Sequence, residues 1–383
     1  MFSFDEIVRK GTPEDIKYEK IEGIDDLLPM WVADMDFKCP DEVIDALTDV
    51  AKRGIFGYVE ADESYDKALT GWFKRRHGWD VDPKIVLTMP GVVLGISDAI
   101  CALTKENDSI LIFEPLYGPI GRAVKGNGRN LIVSDLVRKD SRYEIDFDDF
   151  ENKVRENNAK MLIFCNPHNP VGRVWTRDEL LKVGDICLKN NMIIVCDEIH
   201  ADFVYSGHKH IPFASLSEEI KKITVTCTSA TKSFNIAGIQ AANIIIADDS
   251  MRRSVDRYSL ATGAYGLNIM GLAATRAAYT YGDKWMDELN IYLEENISLV
   301  KSRLAGTKLK VTDTEGTYLI WIDASELKVE DPYRFFLDRA HIKFSDGLFF
   351  SKKAGQFIRM NVACPRSVVN EALGRMLKIP EIH

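Results

Sequence analysis

Six short, almost unbroken aliphatic runs constrain this chain more than any other feature. They are SILIFEP (109–115), NLIVSD (130–135), MLIFCNP (161–167), MIIVCDE (192–198), KITVTCT (222–228) and AANIIIA (241–247). A strand that faces water on one side alternates polar and apolar residues, and these do not. Continuous Val/Ile-rich runs are buried on both faces, which requires helices above and below a mostly parallel sheet. The intervening stretches read as helices: GVVLGISDAICALT (91–104), one near 117–126 and one near 176–190. LTMP (87–90) adds a short strand before the first of them. From about residue 283 the texture changes to a long helical pattern (283–305). Short strands near 309–312 and 318–322, a helix near 331–340, a strand at 356–360 and a last helix near 367–378 follow. The expected division is a large domain over 46–282 and a small α+β domain over 283–383. Residues 1–45 form a segment that joins the small domain.

Length and charge narrow the function classes. At about 150 residues per domain, 383 residues allow two or three domains. The chain carries 49 Lys and Arg against 58 Asp and Glu, a net charge of −9, so nucleic acid is not an expected partner. No apolar run approaches about 18 residues, so no membrane span is expected. The opening MFSFDEIVRKGTPED carries acids and lacks the apolar core of a signal peptide. Seven scattered cysteines without a CxxC pair read as free thiols in a reducing compartment, and the cytoplasm is expected.

In a doubly wound sheet, ligands bind beyond the carboxyl ends of the strands. Reading just past each strand gives a set of polar groups. Gly91-Val92-Val93 opens a helix whose backbone N–H groups suit a phosphate. Tyr117 follows SILIFEP. NPHNPVG (166–172) is an irregular loop in which Asn169 offers an amide. Asp197 follows four apolar residues, and such a buried carboxylate needs a cationic partner. Ser229, Thr231 and Lys232 follow KITVTC. Each is bland alone, because a glycine before a helix is usually a turn and a lysine is usually on the surface. Together they match one chemistry. Pyridoxal 5′-phosphate (PLP) needs an amine for its aldehyde, a carboxylate for its pyridine nitrogen, donors for its ring oxygen, an aromatic to stack on and an anion cradle. Asn169 and Asp197 are 28 positions apart, and Asp197 and Lys232 are 35 apart, each about one strand–helix–strand unit.

Other patterns are weaker. His208 and His210 flank Lys209 in a polar segment and read as solvated loop residues, so no metal is expected. No GxGxxG follows a strand and no GxSxG occurs, which leaves nicotinamide and hydrolase sites unsupported. The acids Asp146, Asp148, Asp149 and Glu151 read as a solvated helix start.

Seven motifs run almost the length of the chain: LPMWVADMDF (28–37), GIFGY (54–58), NPHNPVG, DEIH (197–200), ATKSFNIAG (230–238), GTYLIWID (316–323) and FIRMNVACPR (357–366). On these motifs the chain resembles the fold-type I PLP enzymes of the aminotransferase class I/II superfamily. Within them it is similar to the MalY/PatB branch of cystathionine β-lyases, which are carbon–sulfur lyases. The resemblance implies an α/β fold with a seven-stranded-type central sheet, a homodimer and an amino-acid substrate. It implies that Lys232 carries the cofactor, that Asp197 holds its ring nitrogen protonated, and that Asn169 and His200 face its ring. His200 stands where typical aminotransferases have a Tyr. Gly91, Val92, Val93, Ser229 and Thr231 match phosphate-contacting positions, and Tyr117 matches the stacking aromatic. Tyr58 matches a residue that reaches the phosphate in the neighbouring subunit. Arg359 matches the group that grips the substrate α-carboxylate. Two positions depart from the pattern. Gln240 replaces an Arg that pairs the phosphate in many relatives, so some other cation is expected there. Gly118 replaces a second aromatic, so a roomier pocket is expected.

The implied reaction is α,β-elimination from cystathionine or related S-substituted L-cysteines, with Lys232 as general base. Tyr58 and Tyr117 are candidates for protonating the leaving sulfur. An aminotransferase and a regulatory or scaffolding protein are the alternatives.

Overall fold

A computed structural model describes residues 2–8 and 15–383. Residues 1 and 9–14 belong to the expected N-terminal segment and to the stretch read for a signal peptide, and they lie outside the described residues.

The aliphatic runs form one eight-stranded sheet. Its strands, in spatial order, are Val86–Met89, Ala242–Ile246, Thr224–Thr228, Ile193–Asp197, Met161–Cys165, Ser109–Glu114, Asn130–Lys139 and Arg142–Ile145. The five from Thr224–Thr228 to Asn130–Lys139 pair in parallel. Ala242–Ile246 runs antiparallel to both its neighbours, so Val86–Met89 points the same way as the parallel set. Seven strands therefore form the central sheet, and the eighth, Arg142–Ile145, is a hairpin return at its edge. Its sequence, RYEI, alternates partly exposed and buried residues, so it carries no aliphatic run to betray it. Ile110, Leu111, Leu162, Ile163, Ile194 and Val195 are wholly buried. At about 1.5–3 kcal/mol each, such side chains drive this layer together.

The covering helices are placed by local signals. Arg177–Lys189 starts with a capping box in which Thr176 and Glu179 satisfy each other's backbone N–H groups. Asp146 caps Phe147–Glu156 by accepting from the Asp148 and Asp149 N–H groups. Helix Val92–Leu103 lies hard against the sheet. A Cβ at Gly95 would stand 2.4 Å from Ile244 Cδ1, so glycine is what lets this helix approach so closely.

The C-terminal part of the chain holds a second, antiparallel sheet in the order Lys310–Val311, Leu319–Asp323, Phe357–Asn361 and Ser345–Asp346. Residues 28–37 tie the two parts together. Leu28–Pro29 pairs with Ile342–Lys343, and Asn361 N–H donates to Met30 O at 2.9 Å. On the other side, Met35 N–H donates to Asn235 Oδ1, and Asn235 Nδ2 donates to Met35 O and Phe37 O.

The expectation of a solvated histidine pair fails at His210. His208 is exposed, but His210 is buried. Its Nε2 lies 3.2 Å from Glu198 Oε2, and its ring meets His77 edge-on at 5.2 Å. The carboxylate that follows Asp197 gives this imidazole a partner away from solvent. No cluster of three His, Cys, Asp or Glu residues able to hold a metal forms among the described residues.

Candidate active site

Residues just past the sheet's carboxyl edge line one cavity of about 1200 Å³ with residues 31–33, 343–349 and 359. Lys232 enters it from the short helix Ala230–Ser233, which starts right after strand Thr224–Thr228. Its Nζ donates to Ala33 O at 2.5 Å. Burial lowers its pKa to about 8; Asp34 and Asp197 oppose that fall, and Arg359 adds to it. A half-buried amine held this low has an appreciable uncharged fraction at neutral pH and can serve as a base.

Asp197 is the last residue of its strand and is buried. Desolvation raises its pKa to about 6; a hydrogen bond from Ile199 N–H at 3.1 Å opposes the rise, and Glu198 adds to it. No cation among the described residues forms an ion pair with this carboxylate. His200 follows on the same loop. Burial first, then the charges of Lys232 and Arg359, depress its pKa to about 3, so its imidazole is neutral. Its Nδ1 is buried without a hydrogen-bond partner.

Arg359 reaches the cavity from strand Phe357–Asn361 of the second sheet. Nη1 donates to Asn169 Oδ1 at 2.9 Å, and Nη2 donates to Trp31 O at 2.8 Å and Ser345 Oγ at 3.0 Å. Its Nε is buried and unpaired. Burial lowers its pKa to about 10, which leaves it charged at neutral pH. Asn169 spends its oxygen on Arg359, and its amide nitrogen is left as a donor. Tyr117 caps helix Gly118–Gly126 and lines the same cavity; burial raises its phenol pKa.

At the opposite end, Gly91 precedes helix Val92–Leu103 without a side-chain cap. The first N–H groups of that helix are thus open to an anion. Gly91, Val92, Val93, Thr231 and Gln240 line this end. The positively charged side chains lining the cavity are Lys232, Lys343 and Arg359. None belongs to the helix end, so among the described residues no lining cation replaces the Arg that Gln240 displaced. Ser229 is not among the lining residues. Its Oγ donates to Ala241 O at 2.5 Å and accepts from Thr231 N–H. Tyr58 is fully exposed and does not reach this chain's cavity.

Gly118 does not widen the pocket. A Cβ there would stand 2.4 Å from Phe349 O. The loop Gly347–Phe350 fills the space instead, and its Phe349 ring lies 5.9 Å from that of Tyr117. Several lining residues have no site role in the sequence analysis: Trp31 and Ala33, although they lie in LPMWVADMDF, and Lys343, Asp346 and Phe349. They sit on short or irregular segments with no periodic signal. The one available hint is the pair of acids in VADMDF, where Asp34 and Asp36 lie at 3.0 and 2.7 Å from buried Lys17.

The residues present fit PLP. A half-buried amine, a buried carboxylate awaiting a cation, a neutral imidazole with an unpaired nitrogen and an open helix N-terminus occupy one cavity.

Comparisons with known proteins agree. The family model for aminotransferase class I and II matches residues 25–376. The chain is 39% identical to cystathionine beta-lyase PatB of Bacillus subtilis, over 96% of this chain and 97% of that one. The structure of cystalysin from Treponema denticola, which contains a pyridoxal 5′-phosphate cofactor, superposes with a TM-score of 0.95 at 34% identity, covering 99% of this chain and 98% of that one. The PLP-bound C-S lyase of Staphylococcus hominis superposes with a TM-score of 0.92 at 33% identity, covering 98% and 97%.

Proposed function

Since the chain belongs to the aminotransferase class I and II family, we propose that it is a PLP-dependent carbon–sulfur β-lyase. It takes S-substituted L-cysteines such as cystathionine and, with one water, yields a thiol, pyruvate and ammonia. The observation that carries this reading is the convergence of Lys232, Asp197 and Arg359 on one cavity.

PLP, when bound, supplies an aldehyde for amines and an electron sink for negative charge developing at the substrate Cα. The chain supplies the rest. Lys232 would hold the cofactor, and Asp197 would keep a proton on its ring nitrogen. His200 and the Asn169 amide would face the ring oxygen, with Tyr117 against the ring. Gly91, Val92, Val93 and Thr231 would cradle the phosphate, with Ser229 fixing the turn that presents Thr231. Arg359 grips the substrate α-carboxylate with its planar fork. That grip fixes how the Cα–H bond is presented. Lys232 Nζ, largely stripped of water, takes the Cα proton as general base. The sulfur then departs from Cβ, with Tyr117 or Tyr58 as the proton source.

Proteins of this fold type typically pair as dimers. We assign Tyr58 to the phosphate of the neighbouring subunit, supported by the exposure of Ile55, Phe56 and Tyr58 on one loop. Mixing inactive Lys232→Ala and Tyr58→Ala subunits should then restore activity through hybrid dimers. The division into 1–45, 46–282 and 283–383 belongs to the same reading, as does a cytoplasmic location, which the free cysteines support. No helix among the described residues is long and apolar enough to cross a membrane.

The deciding experiment incubates holoenzyme with cystathionine, and separately with an amino acid and a keto acid. Pyruvate and thiol in equal amounts support the lyase. Amino-group transfer without pyruvate overturns it.

A further inference from the structure

The reactive end of the cavity accounts for an amino-acid head and the cofactor. The cavity does not end there. Its volume of about 1200 Å³ has to hold the cofactor as well as the substrate, where a single small ligand takes roughly 300–1,000 Å³. Beyond Arg359 its wall is made by the small domain, through Lys343, Ser345, Asp346 and Phe349, and by Trp31. For a plain alkyl leaving group, an apolar wall would be enough. This wall carries a cation and an anion.

Lys343 is only 8% exposed. Its ammonium lies 3.9 Å from the centre of the Trp31 ring and pairs with Glu19. An ammonium has three donors, and Glu19 uses one. The Trp31 carbonyl accepts from Arg359, so one residue links the two cations of the wall. Lys343 precedes Ser345 by two residues, roughly 7 Å of extended chain, and Ser345 Oγ accepts from Arg359 Nη2. Asp346 lies on the same stretch. Its Oδ1 accepts from Leu348 N–H, and its other oxygen is left for a ligand.

We propose that Lys343 and Asp346 form a distal subsite for leaving thiols that carry their own amino-acid head. The carboxylate of that head meets Lys343, and its ammonium meets Asp346. The subsite deepens the lyase reading and rests on it for the placement of the reactive end. It makes two-headed thioethers the preferred substrates over S-alkyl cysteines.

The test separates binding from turnover. Two amino acids that cannot eliminate are titrated into holoenzyme, and the change in cofactor absorbance is followed. One is a diamino dicarboxylic acid that matches cystathionine with CH₂ in place of sulfur. The other is an amino acid of the same chain length that lacks the distal head. Unaltered protein should bind the first at least roughly tenfold more tightly, a difference of about 1.4 kcal/mol. Lys343→Met should remove most of that preference while leaving binding of the single-headed compound unchanged. That variant also strips Glu19 of its partner. The Glu19→Gln/Lys343→Met double variant separates loss of the cation from gain of a bare carboxylate. Asp346→Asn, which can still cap Leu348, should reduce the preference less.

Equal affinities in the unaltered protein overturn the subsite. So does a preference that survives in both the double variant and Asp346→Asn. Release of pyruvate from cystathionine is scored separately. If the preference stands and no pyruvate appears, the subsite holds and the lyase reading fails.

Discussion

The inner end of the cavity and its outer wall are built in different ways. At the inner end, Asp197 terminates a strand, Lys232 lies in the first turn after another, and Gly91 opens a helix after a third. The backbone that holds them belongs to a sheet buried on both faces. The outer wall draws on residues 31–33, on 343–349 and on Arg359. These segments are joined by two-residue strands and single hydrogen bonds, such as Ser345 Oγ to Trp31 O. Chemistry common to a family sits well on the rigid end. Choice of substrate sits well on the wall, where a substitution perturbs little of the fold.

Removal of the amine breaks the inner end most severely. Lys232→Ala takes away both the attachment point of the cofactor and the base. We expect turnover to fall on the order of 10³-fold or more and the yellow colour of the protein–cofactor bond to vanish. An absorbance spectrum that keeps that band would remove Lys232 from the site.

Asp197→Asn should cut turnover by about 10²-fold, by analogy with the loss of other preorganised electrostatic groups. Its effect on stability has the opposite sign in the cofactor-free protein. The folded pKa of Asp197, about 6, lies above the usual value of about 4 for an unfolded chain. Between these values the native state keeps a proton that the unfolded state has lost. Stability of the cofactor-free fold therefore falls as pH rises from about 4 to about 6, and the deficit persists above that. Asn carries no such charge. Cofactor-free Asp197→Asn should melt above the unaltered protein at neutral pH and level with it at about pH 4. A lower melting temperature at neutral pH would show that the carboxylate is not held at a cost.

These inner groups are legible in the chain because each follows a run of Val and Ile. The runs locate the strands, the strands locate the carboxyl edge, and the edge selects Asp197 and Lys232 from many acids and lysines. No comparable chain of inference reaches Lys343 or Trp31. Ile342–Lys343 is too short for a period, and its partner Leu28–Pro29 lies more than three hundred residues away in sequence. His210 misleads for a related reason. Its polar neighbours Lys209 and His208 suggest solvent, and only the tertiary pairing with Glu198 explains its burial.

Arg359 joins the two regions, which makes it the next test. Arg359→Ala should raise KM for amino acids about 10²-fold while the cofactor stays bound. It also leaves Asn169 Oδ1 without its donor, while Trp31 O keeps the hydrogen bond from Ser345 Oγ. Kinetics read alongside the absorbance spectrum check this. A normal KM would detach the guanidinium from the substrate.

The mildest test bears on the wall alone. Gly118→Ala places a methyl group 2.4 Å from Phe349 O, well inside contact distance. A backbone carbonyl cannot swing away as a side chain would, so the loop Gly347–Phe350 or helix Gly118–Gly126 must shift. Overpacking of this kind costs about 1–3 kcal/mol. Trimming the Phe349 ring would not relieve it, because the clash is with the main chain. The inner groups do not touch this contact, so the cofactor band should be unchanged. KM for cystathionine should rise several-fold, on the order of the tenfold that 1.4 kcal/mol represents, with a smaller change in kcat. An equal fall in kcat would mean that the displacement reaches Tyr117, one residue away, and that the two ends of the cavity are mechanically one.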